Sequence, residues 1–235
     1  MKYLHIRDQV LDQLETMAPG EPLPPERELA ARLGVSRMTL RRALDELVSA
    51  GRAVRRQGAG VFAAGPKVDQ SLSATSFSVQ MRRRGLEPGA RTLGSETIPA
   101  GARVGQRLEV SPGDPVLRVE RLRLADGSPM AIEMLHVPTD VVPGLDGPDL
   151  VDRSFYEVLA LKYDVRISGG VQTIEPTVTD AEESDRLEVP LHSPALLFER
   201  ASRDQDGRVV EYVRSVYRGD RYRIETPIVP DQVIP

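Results

Sequence analysis

Gly34-Val35-Ser36-Arg37-Met38-Thr39-Leu40-Arg41-Arg42-Ala43-Leu44 reads as a break between two helices together with the start of the second. Gly34 can take a left-handed backbone, Val35 can plug a core, and Ser36 can cap the second helix. Beyond the break, Leu40, Ala43, Leu44, Leu47 and Val48 fall on one helical face. A helix over about Arg37 to Ala50 therefore turns these inward and leaves its first turn, with Arg37, Met38, Thr39, Arg41 and Arg42, largely free. Gly51 stops it. Upstream, Leu23-Pro24-Pro25-Glu26-Arg27-Glu28 sets prolines at and just before a helix start and acids in its first turn, which predicts a helix from about Pro25 to Leu33.

Further out, Tyr3, Leu4, Ile6, Val10, Leu11, Leu14 and Met17 recur at helical spacing, predicting an amphipathic helix near 3–17 that Pro19-Gly20 closes. Downstream, residues 52–56 and 61–63 read as short strands around Gln57-Gly58-Ala59-Gly60. Two helices joined by a tight glycine turn, the second bearing arginines at its free end, have the geometry that lays that second helix in the major groove of DNA. With the hairpin as a wing, residues 1–65 form a winged helix-turn-helix.

Charge and composition narrow the classes. The chain has 235 residues, 40% hydrophobic and 28% charged, which fits two packed domains and neither a disordered chain nor a rod. Its net charge of −4 divides unevenly: residues 1–65 carry +2 and the remainder −6. Between Ser36 and Gly58 six arginines face only Asp45 and Glu46, a local +4 that a phosphate backbone can use. There is no cysteine, so disulfides, thiolate metal sites and thiol chemistry are excluded. The three histidines, His5, His136 and His192, have no ligand spacing, and no metal or cofactor is expected. Gly169-Gly170 is too isolated for a phosphate-cradling loop, Gly105 and Ser111 make no nucleophile elbow, and no catalytic residue is expected. No apolar run has the length of a membrane span, and residues 1–17 alternate polar and apolar where a signal peptide would be continuously apolar. A cytoplasmic protein with no membrane partner is expected.

On Leu23–Ala30, Gly34–Leu44 and Gln57-Gly58-Ala59-Gly60-Val61-Phe62, the chain resembles the N-terminal domain of GntR-type bacterial transcription regulators. The resemblance implies that Arg27, Ser36, Arg37, Thr39 and Arg41 face double-stranded operator DNA, and that Gln57, Gly58 and Gly60 bring the wing tip to the minor groove. An arginine fork can take guanine O6 and N7 together, and a glycine tip fits where a side chain would jam. Ala59 departs from the family, whose members commonly carry Lys or Arg there.

Residues 66–74 read as a linker, where both periodicities lapse, and residues 75–235 as a second domain. Two stretches each break at Asp-Gly, Val116 to Val137 around Asp126-Gly127 and Leu196 to Tyr217 around Asp206-Gly207; both are hairpin signals. Residues 101–108, 153–163 and 179–187 read as helices. The fold class is α+β, an antiparallel sheet covered by helices behind the winged module. Ala74-Thr75-Ser76-Phe77, Arg83–Pro88, Val119–Glu133 and Glu211–Tyr222 resemble the UTRA effector domain of the HutC branch of GntR regulators, whose fold is similar to chorismate lyase. Within that branch the likeness is to amino-sugar repressors, which respond to glucosamine 6-phosphate and N-acetylglucosamine 6-phosphate.

Such a ligand needs one anion site and several neutral partners. Arg121 and Arg123, two apart on a strand, share a face and could fork onto one phosphate. Ser154 and Tyr156 lie at a helix start, and Thr75 and Ser76 cap another helix, beside Phe77. For the sugar, the resemblance points to Glu133 and Glu211, with Tyr217 nearby. His136 falls on the opposite strand face from Glu133 and reads as structural. Arg82, Arg83 and Arg84 read as a solvated helix end, and Arg203, Asp204 and Arg208 as solvated turn residues. The whole reads as a homodimeric repressor, one winged module per operator half-site, released by an amino-sugar phosphate. Two alternatives stay open: the same regulator sensing another sugar phosphate or an organic acid, and an enzyme fused to a DNA-binding head.

Overall fold

A computed structural model describes residues 2–56, 58–65, 67–70 and 76–225, so that Gln57 and Thr75 lie outside the described residues. The chain divides into two compact units, Met1–Val68 with Gly219–Tyr222, and Asp69–Arg218 with Arg223–Pro235.

In the first unit, α1 (Lys2–Glu15), α2 (Glu26–Arg32) and α3 (Arg37–Ser49) precede the hairpin β1 (Ala53–Arg56) and β2 (Gly60–Ala63). Gly34 has φ +64, the left-handed backbone the break requires. Ser36 then caps α3, its Oγ accepting from the Thr39 amide at 3.1 Å. Leu29, Ala30, Leu40, Leu44 and Leu47 pack with Ile6, Val10 and Leu14 of α1 and Val61 of the wing in one apolar core. The wing is anchored by the chain before α2: the Leu23 amide donates to the Val61 carbonyl at 2.8 Å. Short strands β3 (Val68–Gln70), inside the span read as a linker, and β10 (Tyr222–Ile224) pair with each other.

The second unit is built on a six-stranded antiparallel sheet in the order β4-β5-β6-β9-β8-β7. Its central strands are the two expected hairpins, β5 (Pro115–Ala125) with β6 (Ser128–Pro138), and β8 (Pro194–Asp204) with β9 (Val209–Arg218). Asp126 and Gly127 both have positive φ, 49° and 73°, as a tight two-residue hairpin turn demands. The edges, β4 (Pro88–Pro99) and β7 (Ile167–Val178), are strands that the hairpin signals leave unread.

Helices cover both faces. On one lie α5 (Gly101–Leu108) and α7 (Ala181–Leu187), packing on Val116 and Tyr212, and on Leu122, Ile132 and Val216. On the other, α6 (Phe155–Tyr163) packs on Leu117, Val119, Leu135, Val137 and Val213, and α4 (Phe77–Arg83) lies beside β4. His136 stacks on Tyr212 with ring centroids 5.8 Å apart, on the face away from Glu133. Asp204 departs from the solvated-turn reading. It is buried, and its Oδ1 accepts from the amides of Asp206 and Arg208 at 2.9 Å each, so it organises the β8–β9 turn from inside. Arg203 and Arg208 pair at the surface with Glu109 and Asp140, and Arg82 pairs with Glu157 at 2.8 Å.

Candidate functional site

The first unit presents α3 with its first turn in water. Arg27 and Arg37 are exposed and make no ion pair among the described residues. Arg41, also exposed, is held by Glu26 at 2.9 Å, and Arg55 by Asp45 at 2.7 Å. Part of the local positive charge is thus already met by acids, and such exposed pairs are weak enough to exchange for phosphate. Ser36 and Thr39 are joined through their hydroxyls at 2.8 Å, which ties the capping residue to the helix it starts. Gly58 and Gly60 are exposed at the wing, and behind them Arg56 stacks on Phe62 at 4.5 Å.

The second unit holds a cleft over the half of the sheet that α6 leaves bare. Register explains its composition. On β5 the inward positions run Leu117, Val119, Arg121, Arg123: the first two feed the α6 core and the last two the cleft. Arg121 stands opposite Glu133, Glu133 opposite Ser215, and Ser215 opposite Phe198, a row crossing four strands on one face. Among the expected effector residues, Ser76, Phe77, Arg121, Arg123, Glu133, Ser154, Tyr156 and Glu211 line this cleft. Tyr217 lines a second cleft that shares Phe77, Glu133 and Arg200 with it. Ser76 and Ser154 cap α4 and α6, accepting from the Val79 and Glu157 amides.

The two arginines have different partners within the chain. Arg121, 3% exposed, is committed to Glu133: both Nε (2.8 Å) and Nη2 donate to Glu133 Oε1. Burial pushes the Glu133 carboxyl up, but Arg121 and then Arg123 pull it further down, so it stays ionised. Arg123, 2% exposed, makes no direct ion pair among the described residues. Its Nη2 donates to Ser78 Oγ at 3.1 Å and its guanidinium lies 4.6 Å over the Phe77 ring, while Nε and Nη1 have no partner among the described residues. Burial, aided by repulsion from Arg121, lowers it to about 10, still above neutral pH, so it is a buried cation with two unused donors.

Arg200 and Ser202 complete the site and were not legible as site residues. Glu211 Oε1 accepts from Tyr156 Oη (2.6 Å), Ser202 Oγ (2.6 Å) and Arg200 Nε (3.3 Å). Burial, and then the Glu211 carboxylate, push the Tyr156 phenol up, which keeps it a donor. Tyr217 is pushed up to about 12 by burial and then by Glu133. The signal lay in the β8–β9 hairpin: once its turn is placed at Asp206-Gly207, Ser202 stands opposite Glu211, and Phe198, Arg200 and Ser202 share that face.

Residues 2–63 match the bacterial regulatory proteins of the gntR family, and residues 83–223 match the UTRA domain. Over 221 residues, 91% of this chain and 90% of the relative, it is 36% identical to the HTH-type transcriptional repressor NagR of Bacillus subtilis. The chain belongs to the GntR family. GntR relatives include the repressor PhnF of Mycolicibacterium smegmatis, 33% identical over 94% of this chain and 90% of that one. The crystal structure of PhnF from Mycobacterium smegmatis superposes with a TM-score of 0.67, covering 95% of this chain and 98% of that one. The Mannosyl-D-glycerate transport/metabolism system repressor MngR of Escherichia coli is 31% identical over 94% of this chain and 93% of its own. As a GntR member with a UTRA domain, the chain is a transcriptional regulator of repressor type, not an enzyme. GntR regulators bind operator DNA, which assigns a partner to the basic first unit.

Proposed function

We propose that this GntR regulator acts in the cytoplasm as a homodimer, with Arg27, Ser36, Arg37, Thr39 and Arg41 of each first unit, and the wing at Gln57, Gly58 and Gly60, engaging one operator half-site. A small phosphorylated sugar held in the second unit sets its operator affinity. The effector class is an amino-sugar phosphate such as glucosamine 6-phosphate or N-acetylglucosamine 6-phosphate. The observation carrying this reading is Arg123, a buried guanidinium with two donors that no protein group accepts among the described residues. A buried unpaired cation is costly, and an anionic ligand is the group that offsets it. Glu133 and Glu211 bring ionised or hydrogen-bonded carboxylates into the cleft, the groups that accept from ligand hydroxyls or an amide. Thr75, Ser76, Phe77, Ser154 and Tyr156 supply the remaining contacts. The effector releases DNA by binding the DNA-incompetent arrangement more tightly than the competent one.

The test is thermal unfolding of the full-length protein with glucosamine 6-phosphate, N-acetylglucosamine 6-phosphate, glucose 6-phosphate and the unphosphorylated sugars. A ligand at about 100 times its dissociation constant stabilises by about 2.7 kcal/mol. Stabilisation by the phosphorylated amino sugars alone supports the reading, and equal stabilisation by unphosphorylated sugars overturns the anion site. The relative named for mannosyl-D-glycerate, a carboxylic acid, favours a second reading in which Arg123 meets a carboxylate. Stabilisation by glycerate glycosides and not by phosphates would select it.

A further inference from the structure

Met38 stands on α3 as an apolar side chain turned into water. It is 82% exposed, while Leu40, Leu44 and Leu47 of the same helix are buried. At 3.6 residues per turn Met38 lies about 200° round the helix from Leu40, in the middle of the outward face. The charged residues sharing that face are engaged within the first unit. Arg42, one turn on, lies 4.3 Å over the Tyr3 ring, and Asp45, two turns on, pairs with Arg55 at 2.7 Å. Arg41 is held by Glu26. Among the described residues, the first turn of α3 leaves Arg37 and Met38 uncommitted.

We infer that Met38 is a specificity residue that packs its terminal methyl on the 5-methyl group of a thymine in the operator half-site, next to the base read by Arg37. This rests on the reading that α3 enters the major groove. On that groove floor thymine alone presents a methyl, and the other base edges present hydrogen-bonding groups. A thioether pressed on those groups would strip them of water and replace none of their hydrogen bonds, so Met38 both favours thymine and disfavours its alternatives. Its unbranched, polarizable chain can reach a methyl without a fixed rotamer.

The probe is a duplex selected by the wild-type protein from a pool of random double-stranded DNA, together with copies in which single thymines of one half-site are replaced by deoxyuridine. Binding is measured by fluorescence anisotropy for the wild-type chain, Met38→Ala and Arg37→Ala. Deoxyuridine at one position is expected to weaken wild-type binding about threefold to fourfold, the effect of one methyl group. Met38→Ala is expected to bind the thymine duplex more weakly by a similar factor, to be indifferent to that deoxyuridine, and to melt as the wild type does. A deoxyuridine penalty equal in both proteins, or no sensitive thymine at all, overturns the inference. If Arg37→Ala meanwhile loses affinity, α3 still reads DNA and only the role of Met38 fails. If Arg37→Ala binds fully, the groove reading of α3 fails with it.

Discussion

Arg37 in the first unit and Arg123 in the second are both guanidinium groups without a carboxylate partner among the described residues, and they stand in opposite environments. Arg37 is exposed, so water solvates it and its lack of a partner destabilises nothing. Arg123 is buried against Phe77 and Ser78 and pushed toward deprotonation, so its lack of a partner is a stored cost that a ligand can remove. Arg37 thus keeps its charge in water at the surface, while Arg41 and Arg55 of the same unit are held by Glu26 and Asp45. Under the proposed function, an anionic ligand binds the cleft by completing an unfinished interior. The same residue type stands at the proposed site of each unit, and only in the second does the energetics of the protein alone point to it.

That contrast can be broken in several ways, and the strongest concerns the acid that serves the buried cations. Glu133→Gln leaves Arg121 and Arg123 buried without their shared counter-charge. A loss of about 3–5 kcal/mol in denaturant unfolding is expected. A loss under about 1 kcal/mol would show that water reaches these groups and that the cleft is no interior.

Arg123→Leu is the second test. It removes a buried charge that no direct ion pair holds among the described residues, so stability without ligand should be unchanged or higher, while the roughly 2.7 kcal/mol of stabilisation by saturating phosphorylated effector disappears. Arg37→Ala should do neither and should instead weaken operator binding by about 1–3 kcal/mol. A destabilised Arg123→Leu protein would mean that its contacts with Phe77 and Ser78 outweigh its desolvation.

The smallest effect is that of pH. His136 is held below its usual value of 6.5, by burial first and then by Arg118, and Glu133 is held below its usual 4.5. In both cases the unfolded chain binds protons that the folded chain refuses. Stability is therefore full above pH 6.5, declines as pH falls through 6.5 because of His136, and declines again below about 4.5 because of Glu133. His136→Gln should flatten the upper part of that decline in urea titrations and leave the lower part. An unchanged upper slope would show that His136 protonates alike in both states.

Legibility in the sequence tracks locality. Gly34, Ser36 and the spacing of Leu40, Leu44 and Leu47 act within a turn or two, so α2, the break and α3 are readable from residues that touch one another. Asp126-Gly127 likewise declares the β5–β6 hairpin, because few residues take the two positive φ values it needs. The edge strands β4 and β7 escape because they carry Pro88, Gly94 and Pro99, and Gly169, Gly170 and Pro176, and pack against the sheet on one side only. Asp204 escapes for a related reason: an acid beside a turn is ordinarily solvated, and what buries this one comes from the fold around it.

From the residues themselves came the capped, arginine-tipped α3, the two central hairpins and the choice of Arg121 and Arg123 as residues of consequence, while Glu133 and Glu211 came with the resemblance to the UTRA domain. Hydrophobic period, turn chemistry and charge placement are properties of short segments, and they survive without knowledge of what packs on them. The tertiary structure decided which cation is free. Arg121 and Arg123 are equivalent in sequence, two apart on one strand face, and become different because β6 brings Glu133 opposite the first and α4 lays Phe77 and Ser78 on the second. It likewise decided that Arg200 and Ser202 join Glu211 and Tyr156, since β8 and β9 meet in that register. The partners of a charge and its distance from water are set across strands, and strand pairing is where non-local contact replaces local rule.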